Sequence, residues 1–319
     1  RVNRGGCILP SASAPGSLML LGEYAVLHRQ HALVCAIDKR MHVTLTPRHD
    51  SNIIIESALG HYETTLMNLH PVQPFQFVLT ALHSMRKYLR QGFHLHIASE
   101  FSATVGFASS AAVTVATLKV LSQQLGMHFS SDELIKRARN IVRAVQGSGS
   151  GADVAACVLG GVVLYRTQPF TAKKMACTFP ISVVYCGYKT PTAVAIQQVT
   201  QRFSNYPDIF TKLLQAINQC KLRAAAALTS EDWKSLGAVM NIQQGLMDAL
   251  GVNSPDLTAI IQMLRRQAGI LGAKISGSGL GDCVVALGDA TLDSSTMLVP
   301  DAAQIRVNMS SEGVRCEKD

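Results

Sequence analysis

ATVGFASSAA, residues 103–112, is a Gly/Ser loop that runs directly into an Ala-rich apolar segment, and its reading decides the fold. The small and apolar residues of positions 109–125 fit a buried helix, so the loop sits on a helix N-terminus. Such a terminus leaves N–H groups unpaired and carries positive partial charge, and residues without bulk let phosphate oxygens reach that backbone. The same residues also allow an ordinary N-cap by Ser109 or Ser110. Neither G-x-x-x-x-G-K-[ST] nor G-x-G-x-x-G occurs in the chain, because Gly147, Gly149 and Gly151, like Gly277, Gly279 and Gly281, are spaced G-x-G-x-G. P-loop and dinucleotide folds are disfavoured accordingly.

Working outward from the loop, LMLLGEYAV, HALVCAI, MHVTLTP and NIIIES, between residues 18 and 57, read as strands, and residues 75–90 as a helix. FHLHIASE (93–100) alternates in the period-2 manner of a half-buried strand, with His94 and His96 together on the solvent side. Ser130, Ser131, Asp132 and Glu133 offer cap chemistry for a helix that runs to about Val145. VVLYR reads as a strand, and the polar TQPFTAKK after it as a domain joint near residue 170, dividing the chain into 1–170 and 171–319. The second half reads as a strand at 181–186, helices between 192 and 266, and strands at 272–276 and 282–287. The mixture predicts an α+β fold in two lobes.

Three further segments carry candidate chemistry. VQGSGSGADVAA (145–156) places one carboxylate, Asp153, after small residues, where it can orient a hydroxyl or take its proton; the plainer alternative is an N-cap for a helix starting at Val154. KISGSGLGDCVVALG (274–288) reads as strand, tight turn and strand, and Gly277 and Ser278 can bring backbone amides to a ligand or simply close a hairpin. SAPGSLMLLGEYAV (13–26) embeds Glu23 in an apolar strand context, where a carboxylate needs a partner or a ligand.

Composition removes several function classes. The chain has 319 residues, 48% hydrophobic and 16% charged, enough for two ordinary domains and unlike a disordered chain. Its net charge of +8 permits a nucleic-acid partner. However, Lys and Arg are scattered without aromatic interleaving, so none is expected. All ten histidines lie at or before His128 without H-E-x-x-H, so no histidine metal site is expected. Eight cysteines without a C-x-x-C pair, Cys7 and Cys186 among them, read as reduced thiols rather than a disulfide framework. No apolar run reaches membrane-spanning length, and RVNRGGCILP lacks a signal-peptide core, so a cytoplasmic chain with no membrane partner is expected.

Taken in order, these segments resemble the signature motifs of the GHMP kinases, the superfamily of galactokinase, homoserine kinase, mevalonate kinase and phosphomevalonate kinase. The resemblance spans residues 15–288: Pro15 and Gly16 through Gly22, Glu23, Tyr24, Ala25 and Val26 for the first motif, Val105 to Ala112 for the phosphate loop, and Ser276 to Asp282 for the third. It implies an N-terminal lobe of sheet plus helices, a ferredoxin-like C-terminal lobe, and ATP and substrate in the cleft between them. It further implies ATP phosphates on Val105, Gly106, Phe107, Ala108, Ser109, Ser110 and Ala111, Mg²⁺ on Ser110, and Asp153 facing the substrate hydroxyl. Glu23, Ser17, Thr192, Gly277 and Ser278 fall on the substrate side.

Four positions depart from the pattern, of which Phe107 and Ala108, in place of Leu and Gly, narrow the phosphate loop without adding charge. Ser17 stands where the first motif has lysine, so the cation beside Asp153 is missing; Lys189 in GYKTPT is the candidate replacement, the alternative being a surface-loop lysine. Val142 stands where mevalonate kinases carry a Mg²⁺-binding glutamate. GEYAV followed by HALVCAI suits the mevalonate branch, whereas VQGSGSGADVAA, Val142 and the Gly-Asp-Cys at 281–283 are closer to the phosphomevalonate branch. The resemblance is followed toward the mevalonate branch: an ATP- and Mg²⁺-dependent kinase for a small alcohol, mevalonate or else phosphomevalonate. A homodimer is compatible with it, and a non-catalytic ATP- or metabolite-binding homologue is the alternative of a different class.

Overall fold

Two long strands organise the first lobe. In the computed structural model, which describes residues 9–292, 297 and 299–317, β1 (Ser11–Leu21) and β2 (Ala32–Pro47) pair antiparallel and are buried on both faces. Successive side chains alternate between two cores, as the period of a strand requires. Met19 and Val34 enter the core beneath the helices, while Leu18, Leu20, Leu33 and Cys35 enter a second core shared with the other lobe.

β2 is longer than the sequence suggests, for HALVCAI and MHVTLTP form one strand. Its first half pairs with β6 (Val162–Thr167) and its second with β5 (Phe93–Ser99). β3 (Asn52–Ser57) pairs parallel with β5 and antiparallel with β4 (Gly60–Thr65). Between β4 and β5 the chain passes through α1 (Gln76–Met85). α2 (Ser109–Gln124), α3 (Ser131–Gln146) and α4 (Ala152–Leu159) join α1 against the sheet, with α2 buried nearly all round, as befits a core helix. α3 opens with the expected cap: Ser130 accepts from the Glu133 N–H while Glu133 reaches back to the Ser130 N–H.

TQPFTAKK is not a joint. It supplies the turn and most of β7 (Phe170–Met175), which pairs with β6 inside the first sheet, so the chain leaves that sheet only after Met175. The second sheet holds β8 (Ile181–Tyr185), β9 (Gly272–Ser276), β10 (Cys283–Leu287) and β11 (Ala303–Ile305), all antiparallel. Its spatial order is fourth, first, third, second in chain sequence, the ferredoxin-like arrangement the resemblance implied. Between β8 and β9 lie α5 (Thr192–Arg202), α6 (Pro207–Thr229), α7 (Trp233–Leu250) and α8 (Pro255–Arg265). The chain then returns to the first lobe, where β12 (Arg315–Cys316) pairs with β1.

The cysteines meet the expectation of reduced thiols. Cys35, Cys157, Cys186, Cys220 and Cys283 are buried and free, Cys177 and Cys316 are partly exposed and free, and Cys7 lies outside the described residues. His96 is exposed, and His94 is partly exposed with Nε2 2.9 Å from Glu56. Among the described residues no helix is long and apolar enough to cross a membrane.

Candidate active site

A cleft of about 440 Å³ opens between the two lobes, and the Gly/Ser segments converge on it. Neither Ser109 nor Ser110 caps α2. Ala108 does so in the left-handed region, φ 56°, with no side chain accepting from the first-turn N–H groups. Those donors are therefore left for a ligand. Gly106, Ala108, Ser110 and Ala111 line the cleft. Gly106 must lack a side chain, since a Cβ there would run into the Asp282 carboxylate.

Three of the expected loop residues contribute differently. Val105 and Phe107 turn their side chains into the core shared by the lobes, because an apolar side chain gains more there than in a wet cleft. Phe107 instead offers its backbone carbonyl, which accepts from the Ser17 N–H at 3.1 Å and ties the loop to β1. The Ser109 side chain is not on the cleft wall. Ser110 is, with Gln146 Nε2 3.5 Å from its Oγ.

Asp153 stands in the first turn of α4 and lines the same cleft. Gly151, φ 88°, takes the N-cap position, so Asp153 is not the cap. Ser17 Oγ donates to Asp153 Oδ1 at 2.9 Å. Burial pushes the Asp153 carboxyl above its ordinary range; the Ser17 hydrogen bond and the Lys189 charge pull it back, and Asp282 and Glu23 push it further up. Ser17 itself is 1% exposed and absent from the cleft wall, so its contact is with Asp153 rather than with anything in the cleft.

Lys189 reaches the cleft from the loop between β8 and α5, its Nζ 3.5 Å from Asp282 Oδ2. That loop is fastened to the third glycine segment by Thr190 Oγ1, which donates to the Leu280 carbonyl at 2.6 Å. Gly277, Ser278 and Thr192 line the same end of the cleft. Gly277 has open space where a Cβ would stand, and the Ser278 carbonyl is taken by the Tyr24 hydroxyl at 2.6 Å.

Glu23 is not in a strand. β1 ends at Leu21, Gly22 turns the chain with φ 96°, and Glu23 precedes a 3-10 turn at Ala25–His28. It lines the cleft at 3% exposure, yet both its oxygens are engaged from behind, by Lys274 Nζ and by Gln243 Nε2. Lys274, fully buried on β9, is the partner that a buried carboxylate required. Among the described residues the lining carries three carboxylates, Glu23, Asp153 and Asp282, against one cation, Lys189.

Sequence reasoning missed Asp282, Lys274 and Gln243 as members of this site. Asp282 was visible as the acidic residue in the third glycine segment, and Lys274 opens that segment. Gln243 carries no signal beyond being a polar residue on an apolar helix face.

Known proteins are similar to this chain. Residues 76–161 match the family described as GHMP kinases N terminal domain, and residues 224–294 match GHMP kinases C terminal. A mevalonate kinase of Pyrococcus furiosus is 31% identical, covering 86% of this chain and 88% of that protein. One of Pyrococcus horikoshii is 30% identical, covering 96% of this chain and 97% of that protein. The crystal structure of the Methanococcus jannaschii mevalonate kinase shares the fold, with a TM-score of 0.79 at 22% identity over 96% of this chain and 99% of that one. By these matches the chain belongs to the GHMP kinases and is an ATP-dependent kinase.

Proposed function

We propose that this chain transfers the γ-phosphoryl group of ATP to a hydroxyl of mevalonate. The observation that carries the proposal is that Asp153 and the N-terminus of α2, whose first-turn N–H groups no side chain caps, line one cleft, with Lys189 the single cation of that lining among the described residues. ATP phosphates lie along residues 105–111, where Gly106, Ala108, Ser110 and Ala111 face the cleft and Val105, Phe107 and Ser109 contribute backbone alone. Thr192, Gly277 and Ser278 flank the acceptor.

Phosphoryl transfer needs chiefly alignment and charge neutralisation. Asp153 orients the acceptor hydroxyl and takes its proton as the oxygen bonds to the γ-phosphorus and the bond to the leaving ADP oxygen breaks. Ser17 stabilises the ionised form of Asp153. Lys189 meets the negative charge that gathers on the transferred group.

Mg²⁺ fits the cleft as an ion held mainly by phosphates and water. The Ser110 hydroxyl, with only the long Gln146 contact, is the residue that would hold it. Val142 offers no carboxylate, and among the described residues no cluster of three acidic, histidine or cysteine side chains forms a metal site. Bound there, the ion would neutralise part of the phosphate charge.

The charge of the lining favours mevalonate over phosphomevalonate. A phosphate monoester brings a further charge of about −1.5 to −2 at pH 7, and the one lysine on the lining already faces Asp282. The test is ADP release from MgATP with mevalonate, phosphomevalonate, homoserine or galactose, the products identified by mass spectrometry. Turnover with mevalonate alone supports the proposal, and turnover with phosphomevalonate alone replaces it with the neighbouring branch. ATP binding without turnover on any of the four would favour a non-catalytic homologue.

A further inference from the structure

We infer that Asp282 is a positioning residue that holds Lys189 in place on the cleft lining it shares with Asp153. The inference rests on the reading of Lys189 as the cation of the transfer, and it assigns a purpose to a carboxylate whose location is otherwise unfavourable. Asp282 packs against Gly106 at the phosphate loop, where a negative charge opposes the phosphates of ATP. Its backbone is at φ 73°, a conformation uncommon outside glycine, and among the described residues its Oδ1 is buried without a hydrogen-bond partner in good geometry. Burial pushes its carboxyl up, while the Lys189 charge and the neighbouring Gly106 N–H pull it back, and Oδ2 faces Lys189 Nζ at 3.5 Å.

The backbone makes this pair one unit. The Asp282 N–H donates to the Tyr188 carbonyl at 2.7 Å, and the Cys186 N–H donates to the Asp282 carbonyl at 3.0 Å, so the residues on both sides of Gly187 are bonded to Asp282 itself. Gly281 lacks the Cβ that would strike Tyr188, which lets the two loops approach. A lysine is a point charge on a flexible stem, and without a fixed partner it spreads over many rotamers. Asp282 confines the ammonium to the side of the cleft where it also acts on Asp153.

The variants Asp282→Asn, Lys189→Met, their double variant, and Lys189→Arg with and without Asp282→Asn test this, each measured for kcat, for KM of ATP and for thermal unfolding. Asparagine suits positive φ, so Asp282→Asn should keep the wild-type unfolding midpoint. Its kcat should fall by about tenfold or more, while KM for ATP stays level or drops because a carboxylate has left the phosphate loop. In the Lys189→Met background the same change should cost nothing further, since there is no ammonium left to hold. Lys189→Arg, which also reaches the carboxylate, should retain more turnover than Lys189→Met only while Asp282 is present.

Wild-type kcat in Lys189→Met would overturn the role of Lys189 and, with it, that of Asp282. A crippled Lys189→Met beside an unimpaired Asp282→Asn, or costs that multiply in the double variant, would overturn the Asp282 inference alone. Loss of ATP affinity together with kcat in Asp282→Asn would mark a loop-stabilising residue and also overturn it.

Discussion

Ser17 Oγ donates a 2.9 Å hydrogen bond to Asp153 Oδ1, so the residue that stands in place of the motif lysine touches the carboxylate directly. A hydroxyl supports the ionised acid without bringing a positive charge, and in the proposed reading the charge comes from Lys189, on the other lobe. On that proposal, two residues divide what a single lysine would otherwise supply.

Ser17→Ala tests the first half of that division. The carboxyl of Asp153 is already raised by burial, and losing a hydrogen bond to its charged form raises it further. In the proposed mechanism turnover needs the carboxylate, so activity should be present above the Asp153 pKa and lost as pH falls through it. The acid limb of the kcat/KM profile should move to higher pH. A hydrogen bond to a charged group contributes about 1.5–3 kcal/mol, so the rate at the acid end should fall by about tenfold or more. Superimposable profiles would contradict the account.

Gly106→Ala tests the closeness of the phosphate loop to Asp282. The added Cβ meets the carboxylate and must displace either the loop or the Asp282–Lys189 pair. Overpacking of this kind costs about 1–3 kcal/mol, enough to weaken ATP binding by about tenfold. Calorimetric titration with MgATP would reveal it, and an unchanged affinity would show that the loop has room to spare.

Lys274→Met tests the tie between the lobes behind Glu23. Lys274 and Glu23 are both almost fully buried, and removing one partner of such a pair costs about 3–5 kcal/mol because the other charge is left uncompensated. Urea denaturation should show a loss of that order, and Glu23→Gln added to Lys274→Met should restore part of it. Equal midpoints for wild type and Lys274→Met would mean the pair contributes nothing to the closed arrangement.

His31 predicts a pH dependence of stability. Burial, Lys221 and Arg166 push its pKa down from 6.5 to about 4. Between those values the unfolded chain takes up a proton that the native chain refuses, so stability is lost as pH falls from 6.5 toward 4. His31→Gln should flatten the decline of the melting temperature across that window. Parallel curves for the two proteins would remove His31 from the account.

The parts of this molecule legible in sequence are those that depend on neighbours along the chain. The α2 loop, the capping box of Ser130 and Glu133, and the β9–β10 hairpin all rest on residues within a few positions of each other. HALVCAI and MHVTLTP look like separate strands in sequence because the polar residues Asp38, Lys39 and Arg40 stand between them. Arg40 is buried there because its guanidinium donates to Ser13 Oγ at 2.7 Å, to the Ser13 carbonyl at 3.0 Å and to the Gly313 carbonyl at 2.8 Å, and Gly313 is 273 positions away. β4, GHYETT, carries too little apolar alternation to announce itself, and β7 was hidden by the polar character of its exposed hairpin. The partner of Glu23 could be demanded from burial alone, but naming Lys274 needed a contact across 251 positions. Asp282 stood in plain view within a quoted motif, and only the position of Lys189 gave it a role.

The most direct measurement is the pairing of MgATP affinity with mevalonate-dependent ADP release in Asp153→Asn. Asparagine keeps the shape and can still accept from Ser17 Oγ, but it cannot take a proton from the acceptor hydroxyl. The account expects ATP to bind nearly as in the wild type while turnover falls by about a hundredfold or more. Turnover at the wild-type rate would contradict it, and the role of Asp153 would have to be given to another group.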